Sequence, residues 1–327
     1  MKHPIRLAGA LVAVGLLAWL VTRSCSASSS TPTAVSLTSS KNLWCTLPII
    51  AREKGFFADQ GLEVSIDFVQ AAKFAMDALI AGSTEFATVV EVNVAYLGFT
   101  GNDDVRIIST IADSYDGAIT ARSDSGIQNP ADLRGKRLGI LQGTTSQFFA
   151  ERFLEKHGLS SKDVDVRNLQ PVAIQSAIVE KAIDAGSLWQ PFTHNIAQAL
   201  KGQVKIFSDR DVYTGYMNIA VGKAWSGLND ETVQKFLRAL IKAEAFVKAN
   251  PDESQQIMAR VVNLDLSTVQ AIWGQYAFTL YLDSSKLESV IADEARWIRA
   301  TQRGFDTKSL PDYKPYMTSE YLDAARR

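Results

Sequence analysis

The sequence predicts an α/β protein with parallel sheets covered by helices, and three observations support this prediction. Residues 62–69 alternate between apolar and polar side chains, as a strand with one buried face does. Short β-like segments alternate with helical segments from Val35 to about residue 222. The connections between the β-like segments are too long for hairpins, whereas parallel strands require such crossovers.

The predicted elements follow one another in two sets. In the first set, the strands are residues 62–69, 85–90, 105–111 and 117–121, with a helix at 73–81 that Gly82 ends. In the second set, Pro130 begins a short helix, and the strands are residues 136–140, 163–169 and 185–188. Helices at 144–157 and 172–183 separate those strands. After residue 222 the pattern predicts only amphipathic helices, at 230–249, 251–262, from 266 onward and at 285–302.

The N-terminus differs in kind from the rest of the chain. A short basic segment, which contains Lys2 and Arg6, precedes an apolar run at 7–21, and this pattern predicts an export signal or an N-terminal anchor at 1–24. A polar tether follows at 25–33. Cys25 lies where a bacterial lipoprotein carries its lipid, but a plain signal peptide and an uncleaved anchor remain alternatives. We therefore expect a protein of the periplasm or of the outer face of the cytoplasmic membrane, tethered through a lipid or a helix.

Composition excludes several functions. The 34 Lys and Arg residues nearly balance the 35 Asp and Glu residues, and no long basic run predicts a nucleic-acid partner. Cys45 is the only cysteine besides Cys25, so no disulfide framework is expected. CxxC, HExxH, GxSxG, SxxK and P-loop motifs are absent from the sequence, which contains only three histidines. We therefore expect neither an enzyme nor a bound metal or cofactor.

The sharpest local feature is Gly143-Thr144-Thr145-Ser146, between a predicted strand and a predicted helix. Free backbone N–H groups, the positive end of the helix dipole and the hydroxyl groups suit an anion there. The alternative is that Thr144 or Thr145 only caps its own helix, and capping and binding can coexist.

Other strand ends also carry candidate side chains. Trp44 and Cys45 follow the β-like segment that begins at Val35, and each is either part of a pocket wall or part of the core. Glu91 follows the strand at 85–90, where a carboxylate either complements a helix dipole or accepts hydrogen bonds from a ligand amine. Trp189 and Gln190 follow the strand at 185–188, facing the region where open α/β sheets bind ligands.

Longer segments resemble one family. Residues 51–57 with 61–64, residues 129–139 and residues 185–192 are similar to segments of the sulfonate/taurine/nitrate-type substrate-binding proteins of ABC transporters, the SsuA/TauA/NrtA or NMT1/THI5-like group. Gly143–Ser146 falls where that family holds an anionic group. The resemblance covers roughly residues 35–222 in order, which is more specific than any single motif.

The resemblance implies a type II periplasmic-binding-protein fold, in which two α/β lobes close on a solute in the cleft between them. Lobe 1 would be 34–117 plus 215–327 and lobe 2 would be 118–214, with hinges near 114–117 and 213–216. The partners would be a small solute and the permease and ATPase subunits of an ABC importer. The expected ligand-binding residues are Trp44, Cys45, Thr46, Glu91, Asn93, Asp116, Thr144, Thr145, Ser146, Trp189, Gln190 and Tyr216.

Glu91 suggests a particular solute, because the family often has small or hydroxyl residues at its position. We expect an amine near Glu91 and an acidic group at residues 144–146, as in an aminosulfonate such as taurine. The alternatives are a tethered sensory protein with the same fold and a thiamine-pyrimidine-related protein. The cysteine cluster of the pyrimidine-synthesising members is absent from this sequence.

Overall fold

The structure is a computed structural model that describes residues 31–327, of which Pro32–Arg327 form one compact unit. The predicted export signal or anchor, Cys25 and most of the predicted tether lie outside the described residues. Thr33, the last residue of the predicted tether, is the first residue of the first strand. Among residues 31–327, no helix is both long and apolar enough to cross a membrane.

The strands of the described chain form two sheets. In chain order they are β1 (Thr33–Ser40), β2 (Leu62–Val69), β3 (Phe86–Val90), β4 (Val105–Ser114), β5 (Ala118–Arg122), β6 (Arg137–Ile140), β7 (Asp165–Asn168), β8 (Ala185–Leu188), β9 (Val204–Phe207), β10 (Gly215–Gly222) and β11 (Tyr276–Ala277). The first sheet has the order β11-β4-β10-β3-β1-β2, and the second sheet has the order β7-β6-β8-β5-β9. The chain therefore passes to the second sheet after β4 and returns to the first sheet after β9.

Helices cover both sheets, which confirms the predicted α/β class. In chain order they are α1 (Thr46–Glu53), α2 (Ala72–Ile80), α3 (Glu91–Gly98), α4 (Thr145–Lys156), α5 (Pro171–Val179), α6 (Phe192–Ala199), α7 (Lys223–Leu228), α8 (Asp230–Ala249), α9 (Pro251–Val262), α10 (Leu266–Trp273), α11 (Ser284–Thr301) and α12 (Glu320–Ala325). Six of the strand connections of the described chain each contain one of the first six helices, which explains their length.

The predicted parallel pairing holds for part of each sheet, because each sheet also contains antiparallel strand pairs. β10 lies between β3 and β4 and is antiparallel to both. β5 lies between β8 and β9 and is antiparallel to both. Each of these strands is the first one after the chain passes from one sheet to the other. A chain that enters a sheet from its neighbour arrives at the edge facing that neighbour, where the parallel strands end, and so runs in the opposite direction.

Element boundaries differ from the prediction where local backbone geometry intervenes. The predicted helix at 172–183 ends at Val179, because Lys181 adopts a left-handed conformation with φ of 64° that a helix does not accommodate. The predicted strand at 105–111 continues to Ser114. The last strand, β11, contains only two residues, too few to produce an alternating pattern.

Candidate functional site

A small cavity of about 30 Å³ lies between the two sheets, where the parallel strands end. This central cavity is lined by Ser40, Asn42, Trp44, Ala71, Ala72, Lys73, Val90, Asn93, Thr144, Thr145, Trp189 and Met217. Ser40 and Val90 are the last residues of β1 and β3, and Trp189 directly follows β8. Ligands of open α/β sheets bind at this edge, so the topology places the central cavity where binding is expected.

Three helices begin at the central cavity. Their N-cap residues are Ala71 for α2, Val90 for α3 and Thr144 for α4, and all three line the cavity. The first N–H groups of a helix have no partner within the helix, and the helix dipole adds partial positive charge there. The cavity is therefore electropositive although few formal charges surround it.

Some polar groups of the Gly143–Ser146 segment form hydrogen bonds within the protein, and others line the central cavity. The Thr144 hydroxyl accepts from the Ser146 N–H at 3.2 Å and donates to the Leu141 carbonyl at 2.7 Å, so it caps α4. Ser146 donates to the carbonyl of Ser187 in β8 at 2.6 Å. Thr145, which is partly exposed, lines the central cavity. Gly143 has φ of 73°, which a residue with a side chain rarely adopts, and this conformation turns the chain into α4.

Three of the eight buried side-chain polar atoms without a hydrogen-bond partner in the described chain belong to residues that line the central cavity. They are Ser40 Oγ, Asn42 Oδ1 and Trp189 Nε1, whose residues are each less than 9% exposed. An unsatisfied buried polar group costs about 1–3 kcal/mol. A ligand or ordered water in the cavity would remove this cost.

Lys73 is a site residue that the sequence analysis missed. It lies in the first turn of α2 and lines the central cavity, and its aliphatic carbons approach Gly143 across the cleft. Its ammonium nitrogen is 3.9 Å from Asp77, and its side chain is 41% exposed. The sequence contained a signal that could have identified Lys73 as a candidate, because a lysine lies there in the first turn of a helix that follows a strand.

Asp116, in the first connection between the sheets, joins both sides of the cleft. Its Oδ2 accepts from Trp44 Nε1 at 2.8 Å, from the Tyr276 hydroxyl at 2.7 Å and from the Gln190 N–H at 3.3 Å. Burial raises the pKa of Asp116 to about 6, although these donors oppose the shift. Asp116 also lines a cavity of about 10 Å³ next to the central one, together with Trp44 and Trp189.

Glu91 does not contact the central cavity, so its expected role as a partner of a ligand amine is not supported. The side chain is fully buried. Its Oε1 accepts from the Tyr213 hydroxyl, and its Oε2 accepts from the Tyr216 N–H at 3.1 Å. Burial raises the pKa of Glu91 to about 7. The sequence could not show that residues 122 and 125 positions away would occupy both oxygens.

Cys45 and Thr46 are core residues, as the alternative interpretation of this segment suggested. Both are fully buried, and neither lines the central cavity. Cys45 packs in the core of the first sheet, where burial raises the pKa of its thiol to about 11. Thr46 donates to the Leu43 carbonyl at 2.7 Å. Within residues 31–327, no group of His, Cys, Asp and Glu side chains could hold a metal ion.

Gln190 and Tyr216 lie behind the central cavity rather than on its wall. Gln190 accepts from the His194 N–H at 3.1 Å, in addition to its backbone bond to Asp116. Tyr216 is buried, and the Lys286 ammonium lies 4.9 Å from its ring centre. Gln190 and Tyr216 therefore contact residues around the central cavity and do not form its wall.

Polar contacts also join the two sides at the outer edge of the cleft. Asn93 in α3 donates to the Gly143 carbonyl at 3.3 Å. Glu151 in α4 accepts from Trp297 Nε1 at 2.9 Å and from Gln302 Nε2 at 3.3 Å, at the end of α11. These bonds exist only while the elements of the two sheets are close together.

Comparison with known proteins places this architecture in a family. The model of the family described as "NMT1/THI5 like" matches residues 45–254. A protein of Brucella abortus (strain 2308) named "Putative binding protein" is 26% identical over 291 residues, which cover 86% of this chain and 89% of that protein. A Bacillus subtilis (strain 168) protein named "Putative aliphatic sulfonates-binding protein" is 28% identical over 232 residues, covering 68% of this chain and 69% of the relative.

A solved structure shows the same fold. The alkanesulfonate-binding protein SsuA of Xanthomonas axonopodis pv. citri, bound to MOPS, superposes with a TM-score of 0.77 at 18% identity, covering 88% of this chain and 99% of that protein. The fold is thus that of the periplasmic binding proteins, as predicted. The names of these relatives describe binding proteins, in agreement with the prediction that this chain is not an enzyme.

Proposed function

The chain belongs to the NMT1/THI5-like family, and from this premise we propose that it binds a small organic anion, with aliphatic and aromatic sulfonates as the first class to test. The anionic group lies in the central cavity, and the two sides of the cleft close over it. The convergence of three helix N-termini on that cavity is the observation that carries the proposal. The sulfonate class is suggested by the names of relatives.

The chemistry of the cavity favours an anion over a cation. The N–H groups of three helices, Trp189 Nε1 and the Thr145 hydroxyl supply donors, and Lys73 supplies a positive charge at the edge. The buried carboxylates nearby, Glu91 and Asp116, are already occupied by protein donors. A sulfonate offers three acceptor oxygens in a compact group, which suits donors that converge from several directions.

Closure would occur at the two connections between the sheets, residues 115–117 and 208–214. The predicted hinges near 114–117 and 213–216 overlap these segments. Binding energy gained only in the closed form would shift the equilibrium toward it. The Asn93–Gly143 and Glu151–Gln302 contacts would form on closure.

Calorimetric titration tests the proposal. Methanesulfonate, taurine, benzenesulfonate, nitrate, bicarbonate, an aromatic carboxylate and a thiamine-type pyrimidine are titrated into the protein and into Lys73→Met. We expect a sulfonate to bind and Lys73→Met to weaken it about tenfold, since a charge-assisted contact contributes about 1.5–3 kcal/mol. Lys242→Met is the matched control, because Lys242 is similarly exposed and pairs with Asp59 on another part of the surface. Binding of the pyrimidine alone would contradict the proposal.

Delivery to the permease and ATPase of an ABC importer is the second part of the proposal. Deleting the gene should abolish uptake of the radiolabelled solute, and restoring it should return uptake. Unchanged uptake, together with an altered transcriptional response to the solute, would instead indicate the tethered sensory function.

A further inference from the structure

A larger cavity of about 550 Å³ opens directly beside the central cavity. Four of its eleven lining residues are aromatic, compared with two of the twelve that line the central cavity. The lining residues are Lys41, Asn42, Phe68, Val69, Gln70, Phe74, Gln170, Trp189, Pro191, Phe192 and Val262. We call it the aromatic cavity. It lies between the ends of β1 and β2 on one side and the start of α6 on the other.

The aromatic cavity and the central cavity share two wall residues, Asn42 and Trp189. Trp189 and Phe192 pack edge to face with ring centres 6.0 Å apart. Phe74, from the first side of the cleft, and Phe192, from the second, both pack against the small cluster that contains Trp189. Closure of the cleft therefore brings aromatic rings from both sides around one space.

The two cavities differ in volume, and this difference indicates which part of a solute each of them can hold. The central cavity, at about 30 Å³, has room for the anionic group of a solute but for little else. The rest of an organic anion must extend into a neighbouring space. A third cavity of about 560 Å³ also adjoins the central one, but three of its fourteen lining residues are charged and two are aromatic. The aromatic cavity has one charged and four aromatic residues among eleven. An apolar group is buried more favourably among aromatic rings than among charges.

We propose that the aromatic cavity is the subsite for an aromatic ring of the solute, so that the substrate class is an aryl anion rather than a small aminosulfonate such as taurine. This inference rests on the proposed function. The ring lies between Phe74 and Phe192, next to Trp189, and the anionic group reaches the helix N-termini. Flat rings stack or pack edge to face with such walls, and each aromatic pair adds to the effect of burial alone.

The charges around the aromatic cavity are consistent with an anionic ligand. Lys41 Nζ and the Arg52 guanidinium lie 5.8 and 5.7 Å from the centre of the Phe68 ring. Acidic residues are absent from the lining of this cavity, which is formed entirely by described residues. Lys41 is the one charged residue of the lining, because Arg52 lies outside it and pairs with Glu53 at 2.9 Å. This positive charge favours the approach of an anion.

A series of ligands tests the inference with residues 31–327 of the protein. Dissociation constants are measured for methanesulfonate, taurine, benzenesulfonate and 2-naphthalenesulfonate. We expect benzenesulfonate to bind at least about tenfold more tightly than methanesulfonate, because each buried carbon group contributes about fourfold. Equal affinities would overturn the inference while leaving the proposed function intact. Failure of all four sulfonates and of the aromatic carboxylate to bind would overturn the proposed function as well.

Four variants test where the ring lies. Phe192→Ala and Phe74→Ala should each weaken benzenesulfonate about tenfold and leave methanesulfonate nearly unchanged. Ile80→Ala, in the third cavity, is the matched control and should change neither affinity. Phe192→Leu retains apolar volume and guards against a folding defect, and it should give an intermediate loss for benzenesulfonate. Sensitivity of benzenesulfonate to Ile80→Ala instead would place the ring in the third cavity and overturn the proposal.

Discussion

The indole Nε1 of Trp44 donates a 2.8 Å hydrogen bond to Oδ2 of Asp116, which joins the wall of the central cavity to the first connection between the sheets. The same oxygen accepts from Tyr276 and from the backbone of Gln190. One buried carboxylate oxygen therefore holds three segments that are distant in sequence. Movement of the connection would be transmitted directly to Trp44.

Asp116→Ala should lower the free energy of unfolding by about 3 kcal/mol, because it leaves several buried donors without an acceptor. Asp116→Asn should lose less than half as much free energy of unfolding, since its amide oxygen can still accept hydrogen bonds. Urea denaturation at pH 7 measures both values, and Asp77→Ala on the exposed face of α2 is the control. Equal losses of stability in Asp116→Ala and Asp116→Asn would contradict this prediction. They would show that the negative charge of Asp116 is important, rather than its ability to accept hydrogen bonds.

Tyr213→Phe should destabilise the protein more at pH 9 than at pH 5. The Tyr213 hydroxyl donates to Glu91, whose pKa burial raises to about 7, so Glu91 is ionised at pH 9 and protonated at pH 5. A hydrogen bond to a charged acceptor contributes about 1.5–3 kcal/mol, more than one to a neutral acceptor. Thermal unfolding at the two pH values measures the difference.

Tyr313→Phe is the matched control for this prediction. Tyr313 is also a buried tyrosine, but it donates to the Ala95 carbonyl at 2.7 Å. A carbonyl does not titrate, so the loss in this variant should be the same at pH 5 and pH 9. A pH-independent loss in Tyr213→Phe would contradict an ionised Glu91.

Glu294→Gln should reduce the loss of stability that the protein shows as the pH rises from 5 to 9. Glu294 in α11 is fully buried, and neither carboxyl oxygen has a hydrogen-bond partner in the described chain. Burial, followed by the nearby charges of Glu91 and Asp293, raises the pKa of Glu294 well above its ordinary value, and Arg152 opposes the shift. The tyrosines whose pKa the charge of Glu294 raises are Tyr96, Tyr213 and Tyr313.

The sign of this effect follows from proton linkage. Between the ordinary and the raised pKa, the folded protein holds a proton that the unfolded chain has released, so the free energy of unfolding falls as the pH rises. Gln holds no such proton and removes this contribution. Thermal unfolding from pH 5 to 9 measures the slope, and Glu288→Gln on the same helix should leave it unchanged. An identical slope in Glu294→Gln would contradict the prediction.

Glu151→Ala should open the cleft in the ligand-free protein. The carboxylate of Glu151 in α4 accepts from Trp297 and Gln302 on the opposite side, and its removal leaves both donors without that acceptor. Small-angle scattering should show a larger radius of gyration. Glu155→Ala on the same helix removes an exposed carboxylate that pairs only locally with Arg152, and it should leave the radius unchanged. An unchanged radius in both variants would show that other contacts hold the cleft closed.

Local patterns in the sequence predicted most of the individual elements. The alternation at 62–69 predicted β2, and the 3.6-residue periodicity at 230–249 and 251–262 predicted α8 and α9 with their correct ends. β9 was not predicted, because its four residues include Lys205 and carry no clear alternation. β10 was not predicted as a strand either. The reversed direction of β5 was not predicted, because a strand's direction depends on where the chain enters its sheet.

By itself the sequence determined the α/β class, the family resemblance and the use of the Thr144–Ser146 segment as a helix start. Each of these depends on neighbouring residues, whose spacing is visible in the chain. Only the tertiary structure decided which candidates face the cavity. In the folded protein, Tyr213 and Tyr216 donate hydrogen bonds to the two carboxyl oxygens of Glu91, and Lys73 and Phe192 lie at one cleft. Glu91 and the two tyrosines, like Lys73 and Phe192, are more than a hundred positions apart in the chain, and only the packing of the two sheets against each other brings such residues together.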